Sequence, residues 1–293
     1  NENSPYLKQH ENNPVNWLPW NKKSLEKAKN QTKPIFLSVG YASCHWCHVM
    51  AHESFENLDT AKIMNEKFIN IKVDREERPD LDSVFQKSLT ILTGAQGGWP
   101  LSMFLDENGV PFTGGTYFPP TESHGRPGFK QVLENVSQVY SENREKIISQ
   151  KSQMKLVFKE LNKKTAVLKQ DLEPFVERIM EYLDDENGGF KGAPKFPQFY
   201  IFETIFYFYT KNKNKKFFNA VEKLLLNVSS KGIYDHLEGG IARYTVDDKW
   251  VVPHFEKMLY DNILYVNLLN QFILKSNNNY LISKLIQTIN FIN

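Results

Sequence analysis

Two cysteines occur in the 293 residues, and only two residues separate them: Cys44-His45-Trp46-Cys47-His48. They follow the apolar run Pro34-Ile35-Phe36-Leu37-Ser38-Val39 and open a segment with helical spacing. Strand, short loop, Cys-x-x-Cys, helix is an arrangement suited to thiol–disulfide exchange. Backbone N–H groups and the dipole at a helix N-terminus favour an anion, so the first thiol ionises more readily. The spacing keeps the second sulfur close enough to attack a mixed disulfide. Cys44 is therefore the expected nucleophile and Cys47 the resolving thiol. The N-terminal cysteine of such a pair is expected to be the exposed one. An imidazolium from His45 or His48 would stabilise a thiolate.

The same residue types permit other chemistry. Cys-x-x-Cys-His is also the attachment pattern of c-type haem. Zinc could be held by Cys44, Cys47, His48 and His52, because His48 and His52 fall at i, i+4 on a helix. Four ligands within nine residues strain a tetrahedral shell, and no second ligand pair follows. A bland reading also stands, in which two buried cysteines cap a helix and do no chemistry.

These residues must be positioned by the elements around them. Residues 24–30 read as a short helix and 35–39 as a strand. Residues 60–68 carry Ala61, Ile63, Met64 and Phe68 at helical spacing. The alternation of 68–74 reads as a strand. Residues 79–92 form a helix with Leu81, Val84, Phe85, Leu89 and Leu92 on one face. A strand at 101–105, a turn at 106–109, an extended run from 111 to 117 and a helix over 129–148 complete the first half. Trp99-Pro100 stands directly before an apolar strand and behind Gly97-Gly98; the resemblance of the Cys-x-x-Cys arrangement to thioredoxin-like domains implies a cis-proline facing the cysteines in that place, so Pro100 is expected to be cis, the alternative being an ordinary strand-start proline. Residues 142 to about 169, without Pro or Gly, read as a helical connector. Beyond them strand patterns stop. Leu172, Phe175, Val176, Ile179, Met180 and Leu183 form an apolar stripe, and further helices are expected near 198–210, 216–229, 254–275 and 280–292. The domains are read as 1–165, α/β, and 166–293, all α.

Bulk composition narrows the field. A net charge of +2 gives no case for nucleic acid or a membrane surface as partner. The most apolar stretch, 200–209, is too short to span a bilayer and contains Glu203. Two cysteines exclude a disulfide-stapled scaffold. A cytoplasmic location is expected, although a chain beginning at Asn1 leaves export open.

Longer blocks resemble a known family. They are Asn3-Ser4-Pro5-Tyr6-Leu7, Pro14-Val15-Asn16-Trp17, Cys44 through Phe55, Val73 through Asp80, and Gly97-Gly98-Trp99-Pro100. Further blocks are Gly189-Phe190, Pro194-Lys195-Phe196-Pro197 and Val252 through Asn262. Together they resemble the spermatogenesis-associated protein 20 and YyaL-like family. The resemblance implies a thioredoxin-like domain followed by an (α/α)6-toroid like that of N-acylglucosamine 2-epimerases and six-hairpin glycosidases. It implies no assigned substrate. A six-hairpin toroid needs twelve helices and five are counted here, so the chain is expected to stop inside a hairpin. Residues missing after Asn293, or a partner chain, would complete the toroid.

Toroids of this kind place acid and base groups at helix-start loops. The matching charged cluster holds His236, His254 and Glu256, with Asp235, Glu238, Arg243 and Asp261 nearby. If both were helical, His254 and Glu256 would point about 200° apart and could not share a substrate. A helix beginning at His254 behind Pro253 would relax that objection. Pro194 to Pro197 is expected to bound the pocket as a rigid loop.

Three functions follow as expectations. The first is a thiol–disulfide oxidoreductase module working on a protein thiol or disulfide partner with no bound cofactor. The second is a carbohydrate-processing toroid with a sugar substrate, in which the thioredoxin-like domain docks or regulates. The third is a non-catalytic scaffold.

Overall fold

The computed structural model describes residues 2–123, 125–145, 147, 159 and 172–293. The connector expected over 142–169 lies mostly outside them. The chain divides into two compact units, Asn1–Thr165 and Ala166–Asn293.

The first unit is built on a five-stranded mixed sheet. In chain order its elements are α1 (Pro5–Lys8), β1 (Leu18–Pro19), α2 (Lys22–Gln31), β2 (Ile35–Gly40), α3 (His45–Met50), α4 (Leu58–Lys67) and β3 (Ile69–Asp74). Then come α5 (Pro79–Thr93), β4 (Leu101–Leu105), β5 (Pro111–Gly115) and α6 (Phe129–Glu142). The strand order is β1-β3-β2-β4-β5. β1 and β2 run parallel to β3, while β4 is antiparallel to β2 and β5 to β4. This is the thioredoxin-like sheet.

Helices cover both faces, so the strands bury both sets of alternating side chains. Ile35, Leu37 and Val39 of β2 join Ile69, Ile71, Val73, Leu101 and Met103 on the face packed by Phe85 and Leu89 of α5. Phe36 and Phe104 point to the other face and pack with Phe55, Met64 and Phe129. The period of two then forces Ser38, Lys72 and Ser102 onto that second face as well. The alternation of 68–74 puts Asn70, Lys72 and Asp74 on one side, and all three are buried. Two helical expectations are corrected. Val84 is exposed, because α5 rests on the sheet through Phe85 and Leu89 alone of its fully buried apolar side chains. The helix expected over 129–148 is interrupted: α6 ends at Glu142, Asn143 leaves the helical region, and the described residues Arg144, Glu145 and Ile147 are helical again.

The described residues of the second unit are all helical apart from loops. α7 (Glu173–Met180) precedes α8 (Phe199–Asn212), α9 (Lys215–Ser230), α10 (Leu259–Ser276) and α11 (Asn279–Ile292). α8 pairs with α9 and α10 with α11. Both turns use the same chemistry: a left-handed residue ends the first helix, Lys213 or Asn277, and an asparagine caps the next, Asn214 or Asn278. The last two described helices thus form a hairpin. Phe202, Phe206, Leu224, Leu225, Leu268 and Phe272 lie in its core. Leu172 and Phe175 are exposed; of the expected α7 stripe only Val176 and Leu183 are fully buried.

A loop pattern recurs at an interval of 51 residues. Asp184 N–H donates to Gly189 O and Gly188 N–H to Asp184 O, at 2.8 and 2.9 Å. Asp235, Gly239 and Gly240 repeat both bonds at 2.9 and 3.0 Å. Each aspartate also gathers two backbone N–H groups and one lysine, Lys195 at 2.6 Å and Lys257 at 2.5 Å. The glycines supply positive φ, +70 and +75° in the first copy and +93 and +80° in the second.

Candidate functional site

Cys44 and Cys47 form a disulfide with a Cα–Cα separation of 5.2 Å. β2 ends at Gly40, a short loop follows, and Cys44 caps α3 with its sulfur accepting the Cys47 N–H at 3.2 Å. The helix continues beyond Met50 as a wider turn over Ala51–Phe55. The expected exposure of Cys44 is not seen: the two cysteines are 3% and 2% exposed. Trp46 between them is half-exposed, with its ring 5.1 Å from that of Tyr117.

The neighbouring histidines make other contacts. His48 Nε2 lies 2.8 Å from Ala42 O, so that nitrogen carries the proton. His52 Nδ1 lies 2.9 Å from Glu56 Oε2. The zinc shell drawn from Cys44, Cys47, His48 and His52 is thus not assembled: the sulfurs are bonded to each other and the imidazoles are engaged elsewhere. Among the described residues, no group of three or more His, Cys, Asp or Glu side chains is placed to hold a metal ion.

The Trp99–Pro100 peptide bond is cis, and β4 begins at the next residue. Trp99 ties this loop to α5 and to the cysteine loop: its Nε1 donates to Asp82 Oδ1 at 2.9 Å, and its ring meets Tyr41 edge-on at 5.9 Å. Tyr41 lies in the loop that carries Cys44, so the cysteine loop and the proline loop touch through these two rings. The Arg75 guanidinium sits 4.1 Å from the Trp99 ring and 3.8 Å from Asp82. The charged run 74–78 is therefore only partly a solvated network. Asp74 is buried and accepts from Ser4 Oγ at 2.6 Å, while Arg78 pairs with Asp80 at the surface. A cavity of about 330 Å³ lies between Trp46, Gly97, Trp99, Thr116, Tyr117 and Arg126.

Sequence reasoning missed what lies beneath the disulfide. Lys72 is 2% exposed, with Nζ 3.1 Å from Ser38 Oγ and 4.5 to 5.0 Å from the centroids of the Trp17, Phe55 and Tyr6 rings. Burial pushes its amine well below the ordinary lysine range. His10 donates from Nδ1 to Asn13 Oδ1 at 2.9 Å and packs edge-on against Tyr6. Burial first, and the Lys72 charge second, lower its imidazole to about 3. The signal was present, since a lysine in the middle of Ile69-Asn70-Ile71-Lys72-Val73 needs a partner wherever helices cover both faces.

In the second unit the expected helix at 254–275 begins only at Leu259. Residues 252–258 are non-helical, with bends at Val252 and Phe255, because Pro253 bridges to Thr245, His254 and Glu256 bond to the backbone of Tyr244 and Arg243, and Asp247 captures the N–H groups of Lys249, Val251 and Val252. Outside a helix, i and i+2 can share a side. His254 and Glu256 accordingly converge, with Nδ1 3.6 Å from Oε1, while Phe255 between them is 91% exposed. The objection that they point apart is corrected. Phe196, Tyr244 and His254 stack in series, with 4.6 Å between successive ring centroids. His236 is turned to other partners, Lys231 O at 3.1 Å and Lys284 Nζ at 3.4 Å. A cavity of about 380 Å³ adjoins Phe196, Tyr200, Arg243, Tyr260 and Asp261. The segment Pro194 to Pro197 contributes Phe196 and Pro197 to its wall, while Lys195 is buried away from it.

The family model described as "Thioredox_DsbH: Protein of unknown function, DUF255" matches residues 1–159. Spermatogenesis-associated protein 20 of Rattus norvegicus is 39% identical over 273 residues, covering 89% of this chain and 34% of its own. The chain spans about a third of the length of the curated relatives it matches. Among solved structures, a sugar epimerase from a ruminal bacterium has a TM-score of 0.36 at 17% identity, over 43% of this chain and 34% of that one. A structure titled DsbH oxidoreductase has a TM-score of 0.32 at 17% identity, over 44% of this chain and 86% of that one. No helix among the described residues is long and apolar enough to cross a membrane.

Proposed function

The chain belongs to the Thioredox_DsbH family, and on that premise we propose that its first unit exchanges disulfides with a protein dithiol or disulfide partner through Cys44 and Cys47. The observation that carries the reading is the disulfide itself, set at a strand-to-helix junction against a cis-proline loop. A partner thiolate attacks Cys44 Sγ. The Cys44–Cys47 bond breaks, its electron pair leaves on Cys47 Sγ, and a partner–Cys44 mixed disulfide forms. A second partner thiol then attacks the partner's own sulfur and releases Cys44 as thiolate, which the Cys47 N–H stabilises from 3.2 Å. Two electrons and two protons pass from partner to protein, and no metal or organic cofactor is required. The cavity beside Trp46 and Trp99 supplies an aromatic surface for a partner segment.

The deciding experiment is thiol trapping with mass spectrometry across glutathione buffers, with metal content measured on the same sample. A reversible two-electron transition between roughly −120 and −270 mV is expected, the range of known exchange catalysts. Its absence, or stoichiometric zinc, would overturn the reading. Cys44→Ser is expected to abolish exchange.

A second reading rests on the convergence of His254 and Glu256 behind Phe196 and Arg243, which line the 380 Å³ cavity that the pair itself does not line. Here the second unit processes a carbohydrate, with His254 and Glu256 as an acid–base pair. Calorimetry with mono- and disaccharides on a chain of the relatives' full length tests it, and no heat of binding would remove it.

A further inference from the structure

The hydroxyl of Tyr6 is an unusual atom in the first unit. Tyr6 is 1% exposed; its Oη makes no hydrogen bond of full geometry, and the polar side chain beside it is Ser38, whose hydroxyl already accepts from Lys72 Nζ. A buried hydroxyl left unpaired costs about 1–3 kcal/mol, and such groups are rare in folded proteins. The rest of the residue is held firmly. Ser4 caps α1 by accepting the Leu7 N–H at 3.1 Å, and its own hydroxyl donates to Asp74 Oδ2 at the end of β3. The Tyr6 ring packs edge-on against His10 at 5.0 Å and lies 5.0 Å from Lys72 Nζ.

Gly40 shows where that hydroxyl points. A Cβ at this position would lie 2.3 Å from Tyr6 Oη and 2.7 Å from Cys47 Sγ. The two atoms therefore border the same space that Gly40 leaves empty, at most about 5 Å apart. In the disulfide, Cys47 Sγ is a poor acceptor. Once the bond to Cys44 breaks, the same sulfur carries the leaving electron pair in a site only 2% exposed. A buried thiolate needs a donor, and the O–H directed at it is Tyr6.

We propose that Tyr6 is a positioning residue of the redox site, a buried donor that is unpaired in the disulfide and hydrogen-bonds Cys47 Sγ when the pair is reduced. This rests on the exchange reading given above. Tyr6 keeps its proton throughout, and burial holds its phenol above the ordinary range. The electrons come from the partner thiols already described. The hydrogen bond exists in one redox state and the orphaned hydroxyl in the other, so both effects favour the dithiol. Tyr6 makes the couple more oxidising than the cysteine motif alone would. The residue lies 38 positions before Cys44, in an element that neither precedes nor follows the motif directly.

Tyr6→Phe keeps the ring and removes only the hydroxyl. Its equilibrium with glutathione is expected to shift at least tenfold toward the disulfide, a potential about 30 mV more negative. A role confined to packing would change the stability of both redox forms alike and leave that equilibrium unmoved. An unchanged equilibrium constant in Tyr6→Phe, with wild type still showing its reversible transition, would overturn the proposal and leave the exchange reading standing. No transition in wild type would overturn both. A second measurement needs no variant. The reduced-minus-oxidised infrared difference spectrum of the native chain, with ring-13C tyrosine, should contain a shifted tyrosine C–O band. A difference spectrum free of tyrosine bands would refute the proposal.

Discussion

Among the described residues each unit buries one lysine to the same degree, 2% exposed, and the two are treated in opposite ways. Lys195 has a countercharge: Nζ lies 2.6 Å from Asp184 Oδ2 and 2.9 Å from Asp248 O, above the Trp250 ring. Burial alone would raise the Asp184 carboxyl, but the lysine bond and the N–H groups of Asn187 and Glu186 outweigh it and hold it well below the usual range. Among the described residues, Lys72 has no carboxylate within ion-pair distance. It has one hydroxyl and three aromatic faces. A paired buried charge behaves as a structural clip, whereas an amine without a countercharge can be neutral at modest cost. The first arrangement fixes the Gly188-Gly189 loop. The second lies under a reactive disulfide, where a permanent ion pair would compete with the sulfur for hydrogen-bond donors.

The largest contrast is expected from removing each amine. Lys195→Met strands the Asp184 carboxylate and should destabilise the second unit by about 3–5 kcal/mol. Lys72→Met leaves no buried charge behind, and should alter the first unit by less than about 1 kcal/mol because lost hydrogen bonding and relieved desolvation oppose each other. Urea unfolding of both variants measures this. Equal losses would show that Lys72 has a countercharge too.

Acid should separate the units next. The His10 imidazole is depressed to about 3 in the folded state. Its contribution is therefore complete above the unfolded value of about 6.5 and is lost progressively as pH falls from there toward 3. A loss of about 2–4 kcal/mol is expected in the first unit between pH 7 and 4. Asp184 is also depressed, but its unfolded value is near 3.9, so the second unit should begin to weaken only below about pH 4. Urea midpoints followed against pH test the order. His10→Asn should flatten the first curve, and a slope that survives the change would remove His10 as its cause.

A smaller effect separates two glycines of similar backbone. Gly189 has φ +75°, and a Cβ there would lie 2.6 Å from the Trp250 ring and 3.3 Å from Lys195 Cε. Gly94, which ends α5, has φ +70° with nothing within 4 Å. Gly94→Ala should cost about 1 kcal/mol from backbone strain alone, and Gly189→Ala about 2–3 kcal/mol because the lysine clip must also move. Thermal unfolding of the two variants compares them, and equal costs would mean the clip yields freely.

What was legible in the sequence divides along the same line. The cysteine pair, its strand and helix, the cis-proline position and the helical hairpins were readable because each is fixed by residues close together in the chain. The bed beneath the disulfide was not, since Tyr6, Ser38 and Lys72 meet only when α1, β2 and β3 assemble. Residues 252–258 misled for a related reason. Val252, Phe255 and Leu259 have helical spacing, yet bridges to Thr245 and the Asp247 carboxylate hold the segment out of the helix. Local periodicity lost to partners outside the window, and the correct side-by-side placement of His254 and Glu256 was lost with it. The 51-residue recurrence was visible as two Gly-Gly pairs, but its function as a lysine-clipped turn required the hydrogen bonds.

The smallest expected effect concerns two arginines three residues apart. Arg75 stacks at 4.1 Å on the Trp99 ring beside the proline loop, and Arg78 meets Asp80 at the surface. Stacking over an aromatic face uses the flat guanidinium, and a lysine ammonium is a hydrated point charge that replaces it poorly. Arg75→Lys should therefore cost about 1 kcal/mol, the worth of a partly buried cation–π contact. Because Trp99 donates to Asp82 and precedes Pro100, the same change should also slow disulfide exchange several-fold while the reduction potential stays constant. Arg78→Lys alters only a solvated pair and should change neither. If Arg75→Lys were as silent as Arg78→Lys, the Trp99 loop would be held by Asp82 and Tyr41 alone. The first unit would then owe nothing to that cation.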